Sequence, residues 1–376
     1  MRRRNRGQVL VIFALVLFML MGFAALGIDA AYMYAVRHEL QRCADSGALA
    51  GASAFFDGDW ADPTIQAVAD ARARDYAHRD IVSTTALDPA GEVTVTFPAQ
   101  DRIRVTTQRT VDLWFARVLG RPSQAISATA VAEARLVDQK VPCIKPWGIP
   151  FPWNDQDNDA LWDPDEEVRT DCPDGAGAGY FCQGSQVILK VGTPMNSPHN
   201  PDNVVSLQQE SGHFFALDFG SGAHTYEEMI KGRCPDNTTV SVGDQIPLKP
   251  GNMVGPTEQG VEKDKDSLIA QDPTSHWNSD KNLPESDLYK IADGTWMNSP
   301  RVVRIPIYDP SEPLRTGNTD MTVAALAGFW VEDVVKEGQQ GTVYGRFIPL
   351  SAFGESSGPG AGPNAGPHLR ILRLVE

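Results

Sequence analysis

The sequence predicts an α+β protein, in which a long N-terminal helix and a small β-sheet precede a mostly β, disulfide-containing domain. Residues 9–28 are twenty apolar residues without a charge, and no Pro interrupts residues 1–62, so one long helix is expected. Residues 93–97 and 103–107 alternate between apolar and polar side chains, as strands do. Near Lys140 the Ala-rich sequence gives way to Pro, Gly, Asn and Trp, which is typical of short strands between turns.

The apolar stretch has the length of a membrane span. Twenty residues at about 1.5 Å per residue cover about 30 Å, the thickness of the hydrocarbon core of a bilayer. Arg2, Arg3, Arg4 and Arg6 precede it, and such clusters stay in the cytoplasm. We therefore expect a single-pass membrane protein with a cytoplasmic N-terminus and its bulk outside the cytoplasm. A cleaved secretory signal is the alternative, but its apolar core is typically only about 7–15 residues long.

The helix is expected to continue beyond the membrane with an unusually narrow face. Small residues recur there at four-residue spacing: Ala44, Ala48 and Ala52, and Gly47 and Gly51. Small side chains let another backbone approach closely, so this face packs either against the chain's own sheet or against another copy of the chain. Asp29 ends the apolar stretch, where it either stays hydrated or pairs with a basic group of a neighbouring subunit.

These residues carry a family resemblance. The run RGQVLVIFALVLFMLMGFAALGIDAAYMYAVRHELQRCADSGALAGA (residues 6–52) resembles the N-terminal module of the TadE/TadG-like (Flp, tight-adherence) pilus-assembly proteins. Shared features are the basic start, the apolar helix, Gly-Ile-Asp at its outer end, Arg-x-x-Leu-Gln and Ala-Asp-x-x-Ala-Leu-Ala-x-Ala. The resemblance implies a pilin-like helix on a small sheet and a bacterial cell-envelope role beside other pilus-assembly or secretion components. It implies no enzymatic activity.

Three segments are expected along the chain. Residues 1–57 form the membrane anchor and the continuing Ala-rich helix, residues 58–140 a small α/β pilin-like module, and residues 141–376 a mostly β extracytoplasmic domain. Within the module, residues 110–120 read as a short helix and residues 123–137 as a strand. Strands are predicted in the last segment at residues 186–191, 214–219, 301–308, 323–331, 342–350 and 369–376.

Cysteine usage agrees with export. Cys143, Cys172, Cys182 and Cys234 lie in the last segment, and an even number of cysteines in an oxidising compartment predicts two disulfides. Three connectivities are possible. The favoured one joins Cys172 to Cys182, closing a short Gly-rich loop, and Cys143 to Cys234. A zinc site is the alternative, although the sequence has no Cys-x-x-Cys. Cys43 is expected to be a free, packed thiol.

An acidic run predicts a calcium site. Carboxylates in residues 155–166 occupy positions 1, 3, 5, 9 and 12, the spacing of an EF-hand loop. The expected ligands, including one backbone carbonyl, are Asp155, Asp157, Asp159, Leu161, Asp163 and Glu166. Position 6 is Ala160 instead of Gly, and residues 149–153 cannot form an entering helix, so the loop would stand alone. Asp163, followed by Pro and then by Glu166, predicts a capped helix start. The alternative is a solvated acidic turn without a cation.

The net charge and the search for enzyme motifs limit the classes of function that the sequence supports. The net charge of −15 argues against nucleic acid as a partner. His-Glu-x-x-His does not occur, and a cluster of His213, Asp218 and His224 is more typical of a structural role. We therefore expect a non-enzymatic envelope component of a tight-adherence pilus or related secretion system, acting by assembly or surface contact. The alternatives are an anchored or secreted hydrolase with an unrecognised site and a calcium-dependent adhesin.

Overall fold

The chain folds into two compact units. The computed structural model describes residues 6–56, 60, 62–99, 101–156, 162–170, 172, 180–190, 214–220, 222–235, 238–289, 295–312, 320–336, 341–352, 354–356 and 366–375. The first unit comprises Met1–Phe55, Ala61–Glu133 and Leu372–Glu376, and the second comprises Phe56–Trp60 and Ala134–Ile371.

The described elements follow the expected α+β class, with helices first and strands dominating later. The α-helices are α1 (Arg6–Ser53), α2 (Pro63–Arg79), α3 (Ala223–Ile230), α4 (Val254–Glu258) and α5 (Leu268–Gln271). Short 3₁₀ helices span Ala54–Phe56, Ala116–Leu119 and Thr295–Asn298, and a π-helix spans Gln259–Lys263. The strands are β1 (Ile81–Val82), β2 (Thr85–Ala86), β3 (Val93–Ala99), β4 (Arg102–Asp112), β5 (Ser123–Leu136), β6 (Val141–Pro142), β7 (Ile149–Pro150), β8 (Gln186–Lys190), β9 (Thr239–Val240), β10 (Gln245–Pro247), β11 (His276–Asn278), β12 (Leu283–Glu285), β13 (Val302–Tyr308), β14 (Asp320–Thr322), β15 (Ala325–Lys336), β16 (Gly341–Ile348), β17 (Leu350–Ser351) and β18 (Leu369–Leu374).

In the first unit α1 runs along an antiparallel sheet. Within this unit the strands lie in the order β5-β4-β3, each antiparallel to its neighbour, and β4 pairs with β5 along its whole length. The Thr107 hydroxyl of β4 donates a hydrogen bond to the Leu40 carbonyl of α1. Further along both elements, a Cβ atom on Gly51 would collide with Ile103, so helix and strand are in close contact there. The predicted arrangement of a long helix on a small sheet is confirmed.

The second helix, α2, begins with strong local signals. Asp62 is its N-cap and accepts a hydrogen bond from the Thr64 backbone N–H at 2.8 Å, and Pro63 occupies the first helical turn. The buried residues Ala69, Ala73 and Ala77 form one stripe of this helix. Because these side chains are small, α2 can approach α1 closely.

The helix predicted at residues 110–120 is wrong. Strand β4 continues to Asp112, because Thr110 and Val111 pair with Ala125 and Gln124 of β5. Only Ala116–Leu119 turns helically, as one short 3₁₀ segment that ends at Gly120 with φ of 84°. The β-branched pair favours the strand, and the tertiary pairing overrides the helical pattern of the apolar residues that follow.

The second unit is built on a sheet with the strand order β7-β13-β15-β16-β8. All its pairings are antiparallel except β7 with β13. Four of the predicted strands correspond to β8, β13, β15 and β16, and the final strand to β18; Val191 lies outside the described residues. The strand predicted at residues 214–219 is wrong: isolated bridges at Ala216 and Leu217 replace it, and Phe215 has a left-handed φ of 57°.

Both favoured cysteine pairings are confirmed in the second unit. The Cα–Cα distances are 5.4 Å for Cys143–Cys234 and 4.9 Å for Cys172–Cys182. Cys43, in α1, is a buried free thiol. Burial raises the pKa of this thiol to about 11 from its ordinary value of 9.0. Cys43 is therefore a poorly reactive thiol in the folded protein.

A buried polar cluster joins the strands of the second unit to its loops. Arg301 donates to backbone carbonyls of four residues, Asp272, Ser275, Val331 and Glu332. The Asp272 carboxylate accepts hydrogen bonds from the hydroxyls of Ser286 at 2.7 Å and Ser299 at 2.5 Å. The guanidinium of Arg301 also lies 4.9 Å from the centroid of the Trp330 ring. Each charge is thus compensated by directed polar contacts, as burial requires.

Candidate functional site

The apolar part of α1 is exposed to its surroundings. Among the described side chains of residues 10–28, all but Ala25 are classed as exposed, and most are large and apolar. Within the described chain, α1 is the helix that is long and apolar enough to cross a membrane. Among the described residues no contact covers these apolar side chains, as is typical of a segment that meets another apolar medium or partner.

Asp29 lies where this exposed segment ends, and it is buried, with 2% of its surface exposed. Its carboxylate accepts backbone hydrogen bonds from Trp114 at 3.0 Å, Phe115 at 2.9 Å and Ala116 at 2.6 Å. The sequence suggested that Asp29 is either hydrated or paired with a neighbouring subunit, and both suggestions are wrong, because its carboxylate is buried against the chain's own backbone. Three N–H donors from the chain's own loop compensate its charge.

Sequence reasoning missed this role of Asp29 because its partners are 85 to 87 residues away. The only local sign was an acidic residue at the end of an apolar helix, where an uncompensated charge is costly. The loop itself was assigned to a helix, which would have left no three consecutive free N–H groups in its middle.

The small-residue face of α1 is used within the first unit. A Cβ atom on Gly47 would lie 2.8 Å from the Ala73 carbonyl oxygen and 3.2 Å from the Ala77 Cβ. Ala44, Ala48 and Ala52 are fully buried. The face therefore packs against α2 and β4, and any self-association of the chain must use other residues.

The structure describes part of the acidic loop. Asp157, Asp159 and Leu161 lie outside the described residues, whereas Asp155, Asp163 and Glu166 are described. One carboxylate oxygen of Glu166 accepts the backbone N–H of Gln156 at 2.7 Å, and the other accepts that of Asp163 at 3.1 Å. Glu166 thus ties the two ends of the acidic run together.

The helix predicted after Asp163 is not formed. The Glu166 N–H donates to the Asp163 carbonyl at 2.9 Å, which closes a turn, and Val168 then pairs with Trp153 in an isolated β-bridge. The chain reverses direction between Trp153 and Val168, so a return strand follows the loop where an EF-hand would have its exit helix. Both Glu166 oxygens already carry one N–H, although each keeps a further lone pair. Calcium binding stays a prediction.

Of the three residues considered for a histidine cluster, the structure describes Asp218 and His224. His213 lies outside the described residues. Asp218 pairs with the Lys249 ammonium at 2.8 Å and accepts the Gly220 N–H at 3.1 Å. His224 lies on α3. The carboxylate of Asp218 is therefore committed to Lys249, which agrees with a structural role.

A cluster of three titratable side chains lies on α3. The atoms of His224, Glu227 and Glu228 that could bind a metal lie within 4.8 Å of one another. Lys231 pairs with Glu227 at 2.7 Å, and Arg233 with Glu228 at 2.7 Å. The hydrogen bond from Arg233 holds the pKa of Glu228 below its usual range. Cationic side chains already neutralise these carboxylates, so the arrangement is that of an ion-pair network.

Two family models match the N-terminal part of the chain. Residues 7–54 match the Tad model, described as Flp pilus-assembly TadE/G-like, and residues 44–132 match the Tad_C model, described as Tad-like Flp pilus-assembly. Together they cover residues 7–132, about a third of the chain. No curated protein and no solved structure matches this chain significantly.

Proposed function

We propose that this chain, which carries the N-terminal module of the TadE/TadG-like pilus-assembly proteins, is an envelope component of a tight-adherence (Flp) pilus or a related secretion system. The observation that carries the proposal is the agreement between two independent boundaries. The family matches end at residue 132, and the main part of the first compact unit ends at Glu133, with a short C-terminal segment, Leu372–Glu376, added to it. The family matches and the first unit therefore cover nearly the same part of the chain, which supports the proposal that the larger second unit is an addition to the family module.

Anchoring in the membrane is the first part of the proposal. The exposed apolar residues 10–28 support it, and so does the basic cluster from Arg2 to Arg6, which favours a cytoplasmic N-terminus. The folded units would then lie on the extracytoplasmic side, where the two disulfides of the second unit are stable.

Action by assembly, without catalysis, is the second part. Both family descriptions name pilus assembly. Among the described residues, the acidic groups of α3 and Asp218 are held in ion pairs, which is typical of a structural role. The partners proposed are the lipid bilayer and other pilus-assembly or secretion components, and the net charge of −15 argues against nucleic acid.

Calcium binding by the acidic loop is a separate proposal, and the alternative of a calcium-dependent adhesin depends on it. The ligand spacing of Asp155, Asp157, Asp159, Leu161, Asp163 and Glu166 supports it. The contacts of Glu166 add support, because they bring residues 156 and 163 to one carboxylate.

Deletion of the gene in its own host, with counting of surface pili and adherent cells, tests the assembly function. Loss of both is expected, with recovery when the full chain is restored. A matched variant replaces residues 1–28 with a cleavable signal, so that the same units are exported without an anchor. It should fail to restore pili. A deletion strain with normal pili and adherence would refute the proposed function.

Topology has its own test. A reporter enzyme fused after Lys140 should be active outside the cytoplasm and should stay in the membrane fraction after carbonate extraction. A soluble product that begins near Ala30 would show instead that the apolar segment is a cleaved signal.

A further inference from the structure

The loop that Asp29 holds exposes an apolar surface. Loop 114–119 is defined as residues 114 to 119, between β4 and β5. It exposes Trp114 by 60%, Phe115 by 42%, Val118 by 86% and Leu119 by 70%. Four large apolar side chains within six residues form a contiguous patch, which soluble surfaces rarely display without a partner.

This patch is built on an ordered backbone. The N–H of Leu113 donates to the Pro122 carbonyl at 2.9 Å, which closes the base of the loop. Within the loop, the N–H of Val118 donates to the Phe115 carbonyl and that of Gly120 to the Arg117 carbonyl, each at 3.1 Å. The exposure of the apolar side chains is thus a property of the fold.

The same hydrogen bonds make the loop suited to an apolar medium. Asp29 satisfies the N–H groups of Trp114, Phe115 and Ala116, and carbonyls within the loop satisfy those of Val118 and Gly120. Backbone groups without partners are costly where water is scarce, as at the boundary between headgroups and acyl chains. In this loop five of the six side chains are apolar, Arg117 being the exception, and these backbone donors are already paired.

The position of loop 114–119 beside the apolar segment of α1 indicates that lipid is what covers the patch. Asp29 directly follows Ile28, so it lies about 1.5 Å along the helix axis beyond the apolar segment. The Trp114 ring stacks on Tyr32 of α1, with centroids 5.1 Å apart. Trp and Tyr are the residues enriched at membrane–water interfaces. The patch is therefore continuous with the surface of α1 that is proposed to face lipid.

We propose that loop 114–119 is a second membrane contact, which inserts Trp114, Phe115, Val118 and Leu119 into the interfacial layer of the bilayer beside α1. This inference rests on the proposed function, because it requires α1 to span the membrane. Its consequence is that the first unit is held at the membrane surface in one orientation. A single helix leaves its attached domain free to rotate and tilt, whereas a second contact removes that freedom.

The test uses the full chain in phosphatidylcholine vesicles, with an environment-sensitive fluorophore on a single added cysteine. Val118→Cys places the probe on the patch. Ala99→Cys is the matched control, because Ala99 is exposed and pairs, from the end of β3, with Arg102 at the opposite end of β4, about 33 Å from Asp112 at strand spacing. The unmodified chain serves as the labelling blank, since its thiol at Cys43 is buried.

Nitroxide lipids labelled near the headgroup should remove most of the emission of the probe at residue 118, and aqueous iodide should leave it unchanged. The probe at residue 99 should show the reverse. Asp29→Ala releases the loop, so it should raise iodide quenching at residue 118, whereas Asp29→Asn should do so less because the amide oxygen still accepts N–H groups.

Flotation of the vesicles tests the membrane anchor separately from the loop contact. A chain that does not float with the vesicles overturns both the anchor and the loop contact. A chain that floats, with a probe at residue 118 open to iodide and unaffected by nitroxide lipids, overturns the loop contact alone. Protection at residue 118 that falls on dilution and comes with chain-to-chain crosslinks would assign the patch to a second copy, and would likewise overturn it.

Discussion

The first unit is packed through small side chains, whereas the second is packed through large aromatic ones and cross-linked by disulfides. In the first unit, buried alanines of α1 and α2 bring the two helices together, and glycines leave no room for another atom. In the second unit, Trp147 and Trp330 are fully buried, and the ring of Phe347 contacts those of Phe181 and Phe329 at centroid distances of 4.9 and 5.3 Å.

The difference shows how each unit limits its conformations. A long helix already restricts the backbone of the first unit, so close packing suffices to define its fold. The second unit consists of short strands joined by loops, and its disulfide Cys143–Cys234 closes 91 residues. The first unit should therefore be sensitive to added volume, and the second to lost cross-links and lost polar partners. Seven of the eight Trp residues belong to the second unit, so Trp fluorescence reports mainly on it.

The largest effect is expected from the long-range disulfide. Replacing Cys143 and Cys234 with Ser should lower the free energy of unfolding of the second unit by about 4–5 kcal/mol, since the cross-link restricts a long loop in the unfolded chain. Replacing Cys172 and Cys182, which are ten residues apart, should cost about 2–3 kcal/mol. Urea unfolding followed by Trp fluorescence measures both. Equal losses would show that loop length does not govern these contributions.

The next largest effect concerns Arg301. Arg301→Met should cost the second unit about 4 kcal/mol, because it leaves four carbonyls, three of them in buried bonds, without their charged donor and removes a positive charge near Asp272. Arg233→Met is the matched control, since Arg233 forms exposed ion pairs worth about 0–1 kcal/mol. The same urea titration compares them. If both variants lose equally little free energy of unfolding, the buried cluster around Arg301 does not stabilise the second unit.

Acid should destabilise the second unit through His368. Burial lowers the pKa of His368 to about 4 from its ordinary 6.5, and the charge of Arg370 adds to the effect. Between pH 6.5 and pH 4 the imidazole of His368 is therefore protonated in the unfolded state and neutral in the folded state. Stability is fully present above pH 6.5 and falls by roughly 3 kcal/mol as the pH drops to 4.

His368→Phe removes this group and keeps a ring against Phe181, whose centroid lies 4.8 Å from that of His368. The difference in unfolding free energy between the two proteins should change with a slope of about 1.4 kcal/mol per pH unit in that window. A constant difference from pH 7 to pH 4 would show that the folded protein protonates His368 as readily as the unfolded chain does.

The first unit should respond to added volume. Gly47→Val should lower its stability by about 1–3 kcal/mol, because the new Cβ meets the Ala73 carbonyl, which belongs to the backbone of α2. Gly27→Val is the control, since nothing lies within 4 Å of its Cβ position. Thermal unfolding of the full chain in detergent, followed by far-ultraviolet circular dichroism, detects the loss of helix. Equal midpoints for the two variants would contradict close packing at Gly47.

The smallest effect is expected from calcium. Extracellular sites bind with dissociation constants on the order of 10⁻⁴ to 10⁻³ M, so a few millimolar calcium should stabilise the second unit by about 1 kcal/mol. Magnesium should have less effect, since it prefers six ligands at shorter distances. The gain should be weakened in Asp157→Asn and Glu166→Gln. Identical Trp-detected melting in chelator and in calcium would remove the site.

Features that depend on neighbouring residues were readable from the sequence. The uncharged apolar run predicted the long helix, alternation predicted β3 and the first half of β4, and the N-terminal motifs predicted the family module that the comparisons found. The disulfide pairing was also predicted, because four cysteines allow only three connectivities and a short loop is easily closed.

Features that depend on distant residues needed the fold. Pairing with β5 extended β4 through residues that read as a helix, and a turn with a bridge to Trp153 replaced the helix expected after Asp163. Asp29 acquired its role only when β4 ran back along α1 and delivered three N–H groups to its carboxylate. Hydrophobic periodicity is a local property of the chain, whereas the partner of a buried charge is set by which segments meet in space.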